Sequence, residues 1–291
     1  MSADFLEQMA AGSRERVKVA KQACSEADLL ARALAAPPPP RLRRDPTGFD
    51  LIAELKLRSP AAGQLKSGDE DVEARVTAYA RAGAAAVSVL TEPSRFDGSL
   101  AHLELATRTL EPLRVPAMRK DFLVDPYQVI EARIAGAGGV LVILRMLPRV
   151  ELDALIDRAR ALGLFVLLEA FDARDIELMH SIVDRHAGDA VELLAGVNCR
   201  DLATLQVVPR RLDELAHLLP TRVPRVAESG VGSVDDARRV AAAGYELALV
   251  GSALMQGGDP GVLARAMLQA GRAARSSSSQ AAIPGHSGKR P

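Results

Sequence analysis

The sequence predicts an α/β protein, a closed (β/α)8 TIM barrel with an N-terminal helical extension. Three observations predict it. Eight short apolar runs alternate with eight amphipathic stretches of helical length, the pattern of parallel βα units. Polar or ionisable residues end several of those runs, as at the active-site face of such barrels. The chain has 291 residues, 48% of them hydrophobic, which suits a single barrel of ~250 residues.

Residues 4–35 are rich in Ala, Leu, Glu, Lys and Arg and read as helical. The run Pro37–Pro40 ends that segment, because successive prolines cannot continue a helix. The apolar runs follow at 50–56, 85–90, 115–119, 138–144, 164–169, 192–197, 223–228 and 246–251. The helical stretches lie near 70–82, 99–111, 126–136, 149–162, 172–186, 209–219, 233–243 and 259–272. A weak repeat supports the count: Ala82-Gly83-Ala84, Ala135-Gly136-Ala137 and Ala243-Gly244 each precede a strand, where glycine closes a helix. Six units would have indicated a doubly wound open sheet. These boundaries divide the chain into an extension over 1–45, a barrel over 46–272 and a tail over 273–291. The tail is rich in Ser, Gly and Pro and is expected to lack order.

Composition excludes several functions. Lys+Arg and Asp+Glu are equal at 37 each, so no basic surplus points to nucleic acid or an anionic membrane. No apolar run reaches the ~20 residues of a membrane span, and the charged N-terminus has no signal core. Two cysteines, Cys24 and Cys199, are too few for a disulfide framework and suit a reduced cytoplasmic setting. The five histidines are scattered, with no ligand pair at a strand end, so no metal is expected. Cys199 as a nucleophile lacks a neighbouring histidine in sequence. With no tryptophan and 3% aromatics, the core must rest on Leu, Val, Ile and Ala.

The most informative residues are Glu54 and Lys56. In a strand, residues i and i+2 share a face, and two ionisable groups on a buried face are costly unless paired or used. Lys120, Glu169, Asn198 and Glu228 stand at the ends of later apolar runs. Singly, each charge could be a solvated loop residue or half of a salt bridge. Together Glu54, Lys56, Lys120, Glu169 and Glu228 come from the first, third, fifth and seventh strands and converge on one end of the barrel. Such a mixed cluster lets one group donate a proton while another accepts it. Ser229-Gly230-Val231-Gly232 follows the seventh strand and Gly251-Ser252 the eighth. Glycines there could simply make tight turns, but loops after these two strands are the usual phosphate site of this fold.

Seven segments carry a resemblance: Leu51–Gly63, Ala82–Glu92, Phe96-Asp97-Gly98-Ser99, Arg119–Gln128, Asn198–Leu202, Ala227–Val231 and Leu249–Met255. From about residue 4 to about 270, the chain resembles the indole-3-glycerol-phosphate synthase family of tryptophan biosynthesis. The resemblance implies a carboxy-lyase without cofactor or metal. Its substrate would be 1-(2-carboxyphenylamino)-1-deoxyribulose 5-phosphate, closed to indole-3-glycerol phosphate with loss of CO2 and water. By motif, Lys120 would be the general acid for ring closure, with a lowered pKa expected of it. Lys56 would bind the anionic substrate and serve later proton transfer. Glu169 would act in the dehydration, shaped by Glu54 and Asn198, and Glu228 would complete the catalytic set. Ser59, Ser88, Leu90, Phe96, Phe122, Arg200 and Ser229 would bind substrate, with Phe96, Phe122 and Leu90 walling the aromatic ring. Gly230, Gly251 and Ser252 would hold phosphate. The N-terminal helix would cap the substrate end. The resemblance also leaves room for association with other tryptophan-pathway enzymes.

Some positions depart from the family pattern: Leu57, Arg58, Ala61, Arg145, Met146, Phe171 and Cys199. They leave open a divergent paralogue acting on a modified anthranilate-derived phosphosugar, or another phosphosugar barrel enzyme. A non-catalytic scaffold is disfavoured, since it has no reason to keep costly strand-end charges.

Overall fold

The computed structural model describes residues 5–45, 48–59, 63–65, 70–201, 204–256 and 258–281. Helices α1 (Phe5–Ala23) and α2 (Glu26–Ala35) form the N-terminal extension. Eight parallel strands close into a barrel: β1 (Asp50–Leu55), β2 (Ala86–Leu90), β3 (Ala117–Lys120), β4 (Gly139–Ile143), β5 (Phe165–Ala170), β6 (Leu193–Asn198), β7 (Arg225–Glu228) and β8 (Leu247–Val250). The ring closes where Asp50–Ala53 of β1 pair with Leu247–Val250 of β8. The helices that follow are α3 (Val72–Arg81), α4 (Pro93–Phe96), α5 (Leu100–Leu110), α6 (Pro126–Ile134), α7 (Arg149–Ala161), α8 (Ala173–Arg185), α9 (Arg210–Leu215), α10 (Val234–Ala242), α11 (Ser252–Gln256) and α12 (Pro260–Ala281). The expected strands and their interleaved helices are all present. The short helices α4 and α11, and a hairpin pairing Arg58–Ser59 with Gly63–Gln64, are additions.

Local chemistry starts the helices. Ser25, Asp71, Ser99, Asp125 and Asp172 each cap a helix by accepting a backbone N–H, and Ser233 with Asp236 forms a capping box on α10. Just past α3, Gly83 takes φ 96° and turns the chain into β2, a conformation that a side chain would strain.

Strand periodicity builds two cores. Outward residues such as Leu51, Ala53, Val87 and Val89 pack under the helices. Inward residues such as Ile52, Met118, Leu141, Leu167, Val226 and Leu247 fill the barrel. Gly139 leaves room inside for the ring of Phe165, which lies 2.4 Å from where its Cβ would stand. The segment after α2 is tied to the barrel by Arg133, which donates to Ala36 O and Pro37 O, and by Arg44 paired with Glu246.

The expected start of the tail at 273 falls within helix α12. Helix α12 runs on to Ala281. Arg272 is anchored by Asp50 at 3.0 Å and by Phe49 O at 3.1 Å, and Ala273, Ala274 and Arg275 are good helix formers that carry the last turns onward. Residues 282–291 lie outside the described residues.

Candidate active site

A cavity of about 480 Å³ opens at the carboxyl ends of the strands. Among the residues singled out from sequence, Glu54, Lys56, Ser59, Leu90, Phe96, Lys120, Phe122, Glu169, Asn198, Arg200, Glu228, Ser229, Gly230, Gly251 and Ser252 all line it. Ser88 does not. It faces the interior in register with Glu54 and Met118 and is fully buried, its hydroxyl unpartnered. Serine is too short to reach the cavity from that layer, whereas Glu54 reaches it from the same level.

The ionisable groups form two linked sets. In the first, Lys56 Nζ donates to Glu54 Oε1 at 2.6 Å. In the second, Lys120 Nζ lies 3.5 Å from Glu169 Oε1 and 3.7 Å from Glu228 Oε2. Asn198 Nδ2 donates to the same Glu169 oxygen at 2.7 Å, and its own Oδ1 accepts from Arg200 N, which fixes the amide. All three carboxylates are buried.

Two glycines make this packing possible. A Cβ on Gly196 would stand 2.3 Å from Glu228 Oε1. A Cβ on Gly251 would stand 2.3 Å from Glu54 Oε1 and 3.1 Å from Lys56 Nζ. Gly251, expected only as a phosphate contact, therefore houses the Glu54–Lys56 pair.

The electrostatics correct one expectation. Burial alone would lower the Lys120 pKa, but the charges of Glu169, Glu228 and Glu54 outweigh it and raise the value. Lys120 is thus held firmly as an ammonium ion. Glu228 moves up strongly, first through burial and then through the neighbouring charge of Glu169, with Lys120 opposing. Cys199 is buried, with its thiol pushed up by burial to about 11, which removes it as a nucleophile. Among the described residues no group of His, Cys, Asp and Glu is arranged to hold a metal ion.

Three phenylalanines wall the other side. Phe122 packs edge-on to Phe5 at 5.9 Å between centroids and tilted against Phe96 at 6.1 Å. Phe5 and the adjacent Leu6 come from α1 and were not picked out from sequence, because nothing local marks a helix start as part of a distant cavity. Phe171, a departure from the expected pattern, also lines the cavity. Arg145 stacks on its ring at 4.8 Å while its guanidinium pairs with Asp172 and Asp175. Arg145 thus supports the wall from behind rather than adding polarity to the cavity.

At the mouth, Ser229 and Gly230 both adopt left-handed backbone, at φ 64° and 66°. Gly232 and Asp236 join them in the lining. Asp236 Oδ2 accepts from Gly232 N at 3.1 Å and Ser233 N at 3.0 Å. The spacing Ser233-x-x-Asp236 could have signalled that carboxylate, since it is a capping box. Among the described residues no helix is long and apolar enough to cross a membrane.

Comparison with known proteins places this geometry. The family model described as indole-3-glycerol phosphate synthase matches residues 6–267. An indole-3-glycerol phosphate synthase of a Parafrankia species is 40% identical over 258 residues, covering 88% of this chain and 91% of the relative. One of a Nocardioides species is 42% identical over 261 residues, covering 88% and 94%. Among solved structures, 3-hexulose-6-phosphate synthase from Salmonella typhimurium superposes with TM-score 0.57 at 14% identity, covering 76% of this chain and 98% of that one. That likeness carries the fold alone.

Proposed function

The chain belongs to the indole-3-glycerol phosphate synthase family, and from that premise we propose how its strand-end cluster divides the reaction. The enzyme is a decarboxylating lyase of tryptophan biosynthesis. It converts 1-(2-carboxyphenylamino)-1-deoxyribulose 5-phosphate to indole-3-glycerol phosphate, CO2 and water.

In the first step the ring carbon that bears the carboxylate attacks the ribulose carbonyl carbon. A carbon–carbon bond forms, and the carbonyl oxygen takes a proton from Lys120. The ammonium, held protonated by Glu169, Glu228 and Glu54, is poised to give its proton to the more strongly basic oxygen that develops. Lys120 regains a proton from solvent afterwards. The nitrogen becomes a cationic imine, which accepts the electron pair of the carboxyl bond as CO2 leaves. In the last step the new hydroxyl departs with a proton from Lys56. Glu169, steadied by Asn198, takes the proton from the adjacent ring carbon. Glu54 holds Lys56 at 2.6 Å for that donation.

Phe5, Phe96 and Phe122 bound the aryl ring. Phosphate is placed against the Ser229–Gly232 turn and Ser252, where it would displace Asp236 from the amides of Gly232 and Ser233. The free thiols of Cys24 and Cys199 support a cytoplasmic setting.

The observation that carries this reading is the Lys120 ammonium between Glu169 and Glu228 inside the cavity. The test is turnover of the carboxyphenylamino-deoxyribulose phosphate by purified protein, followed by indole fluorescence, beside the Lys120→Met variant. Fluorescence that rises with wild type and stays flat with folded Lys120→Met supports the reading. Near-normal turnover by that variant would move the acid to Lys56.

A further inference from the structure

Lys120 is gripped from behind by a buried ionic network that lies outside the barrel. Asp121 Oδ2 accepts from Thr91 Oγ1 at 2.7 Å and from Arg119 Nη2 at 3.1 Å, and Oδ1 accepts from Phe122 N at 2.8 Å. Arg119 reaches on to Gln128 O and Glu131. Helix α1 enters this network through one guanidinium. Arg16 Nη2 donates to Asp121 Oδ1 at 3.0 Å and to Ser13 Oγ at 2.8 Å, and Nη1 lies 3.6 Å from Glu92 Oε1. The Ser13 hydroxyl donates to Phe122 O at 2.6 Å. Glu92 in turn caps α4 through Ser94 N and Arg95 N, and α4 carries Phe96.

Asp121 and Glu92 are both buried. Among the described residues, Arg16 is the cation recorded against Glu92. A buried acid that loses its cation either moves toward water or gives up its charge. Here Glu92 would lose its cation, so the helix that presents Phe96 would move, while Asp121 keeps Arg119 and the turn just after Lys120 loses its hydrogen bond to α1.

We propose that Arg16, with Ser13, is a positioning residue for ring closure: a latch from the N-terminal helix that holds the Lys120–Phe122 turn and α4 in register with each other. The proposal rests on the reading of Lys120 as the general acid. It makes α1 part of the reaction geometry through an ionic contact, separate from the apolar lid that Phe5 and Leu6 supply. A second cavity, of about 250 Å³, is lined by Arg16, Thr91, Gly98, Arg119 and Asp121 and gives small ions a route to the latch.

The experiment is steady-state kinetics of Arg16→Ala with and without guanidinium chloride, well below denaturing concentrations, with sodium chloride at equal ionic strength as control. A misplacement of about 1 Å can cost ~10²-fold, so kcat should fall at least about tenfold while KM changes far less. Guanidinium should restore kcat several-fold, sodium chloride should not, and the wild type should be indifferent. A folded Arg16→Ala with wild-type kcat, or a loss that guanidinium does not restore, overturns the latch. Should Arg16→Ala melt below the assay temperature, Ser13→Ala carries the test: a lowered kcat at unchanged KM supports the latch, and wild-type kcat overturns it. Lys120→Met separates the two claims. If it keeps turnover, the acid assignment fails whatever Arg16 does. If it is inactive while Arg16→Ala is normal, only the latch fails.

Discussion

Replacing Gly251 by alanine perturbs the site by a single methyl group, and the structure says where that methyl must go. Its Cβ would stand 2.3 Å from Glu54 Oε1, 3.1 Å from Glu54 Cδ and 3.1 Å from Lys56 Nζ. Gly251 is not in the left-handed region, so alanine brings no backbone strain, and the whole effect is steric. The clashing atom is the far end of a flexible side chain, so the barrel itself need not open. What must shift is the ion pair held at 2.6 Å. Overpacking of this kind costs ~1–3 kcal/mol. At ~2–4 °C per kcal/mol for a domain approaching this size, the melting temperature should drop by several degrees. Displacing Lys56 by about 1 Å should cut kcat ~10²-fold, with a smaller change in KM. A phosphate-only role for Gly251 predicts the reverse split, a raised KM with kcat retained. The double variant Glu54→Asp/Gly251→Ala isolates the cause, because the shorter acid vacates the space the methyl needs. The loss of melting temperature caused by Gly251→Ala should shrink markedly in the Glu54→Asp background. An equal loss in both backgrounds, or wild-type kcat and melting temperature for Gly251→Ala alone, would refute the packing argument.

Three further outcomes are expected. Lys120→Met should lower turnover ~10²–10⁴-fold while the protein remains folded, and Lys120→Arg should not restore it, because a planar guanidinium fork does not replace a compact ammonium between Glu169 and Glu228. At Gly230, φ is 66° and a Cβ would press on Cys199 Sγ at 2.7 Å and Val207 Cγ1 at 3.1 Å, so Gly230→Val should raise KM for the phosphorylated substrate more than it lowers kcat. Glu228 has a folded pKa above its unfolded value, so the folded chain binds that proton more tightly. Its contribution to stability is then complete below the ordinary carboxylate range and declines as pH rises toward the elevated value. Denaturant unfolding across that window should show a shallower decline for Glu228→Gln than for wild type, and parallel slopes would contradict the assignment.

Most of the site was legible because its residues announce themselves by being out of place. Glu54, Lys56, Lys120, Glu169, Asn198 and Glu228 are polar groups ending apolar strands, and a parallel barrel carries every strand end to one face. Ser88, named by the resemblance, sits mid-strand and falls below the cavity, since inward direction can be read from alternation but depth cannot. Phe5, Leu6 and Arg16 left no such mark. They sit on an amphipathic helix whose docking face depends on contacts more than a hundred residues away, as in Ser13 with Phe122 and Arg16 with Asp121. The hidden role of Gly196 and Gly251 was missed for a related reason: a space is defined by the side chain that fills it, and that side chain belongs to another strand.

Along this chain, then, local periodicity, capping residues and strand-end charges determine the barrel and name the charged groups that gather in its cavity, because each depends on neighbours within a few positions. The state of those groups is a different matter. Three buried carboxylates gathered from β1, β5 and β7 raise the pKa of Lys120 against the pull of burial, the opposite of what a solitary buried lysine would show. Only the closed barrel decides that, since Coulomb energy depends on distances in space and no spacing in the sequence encodes them.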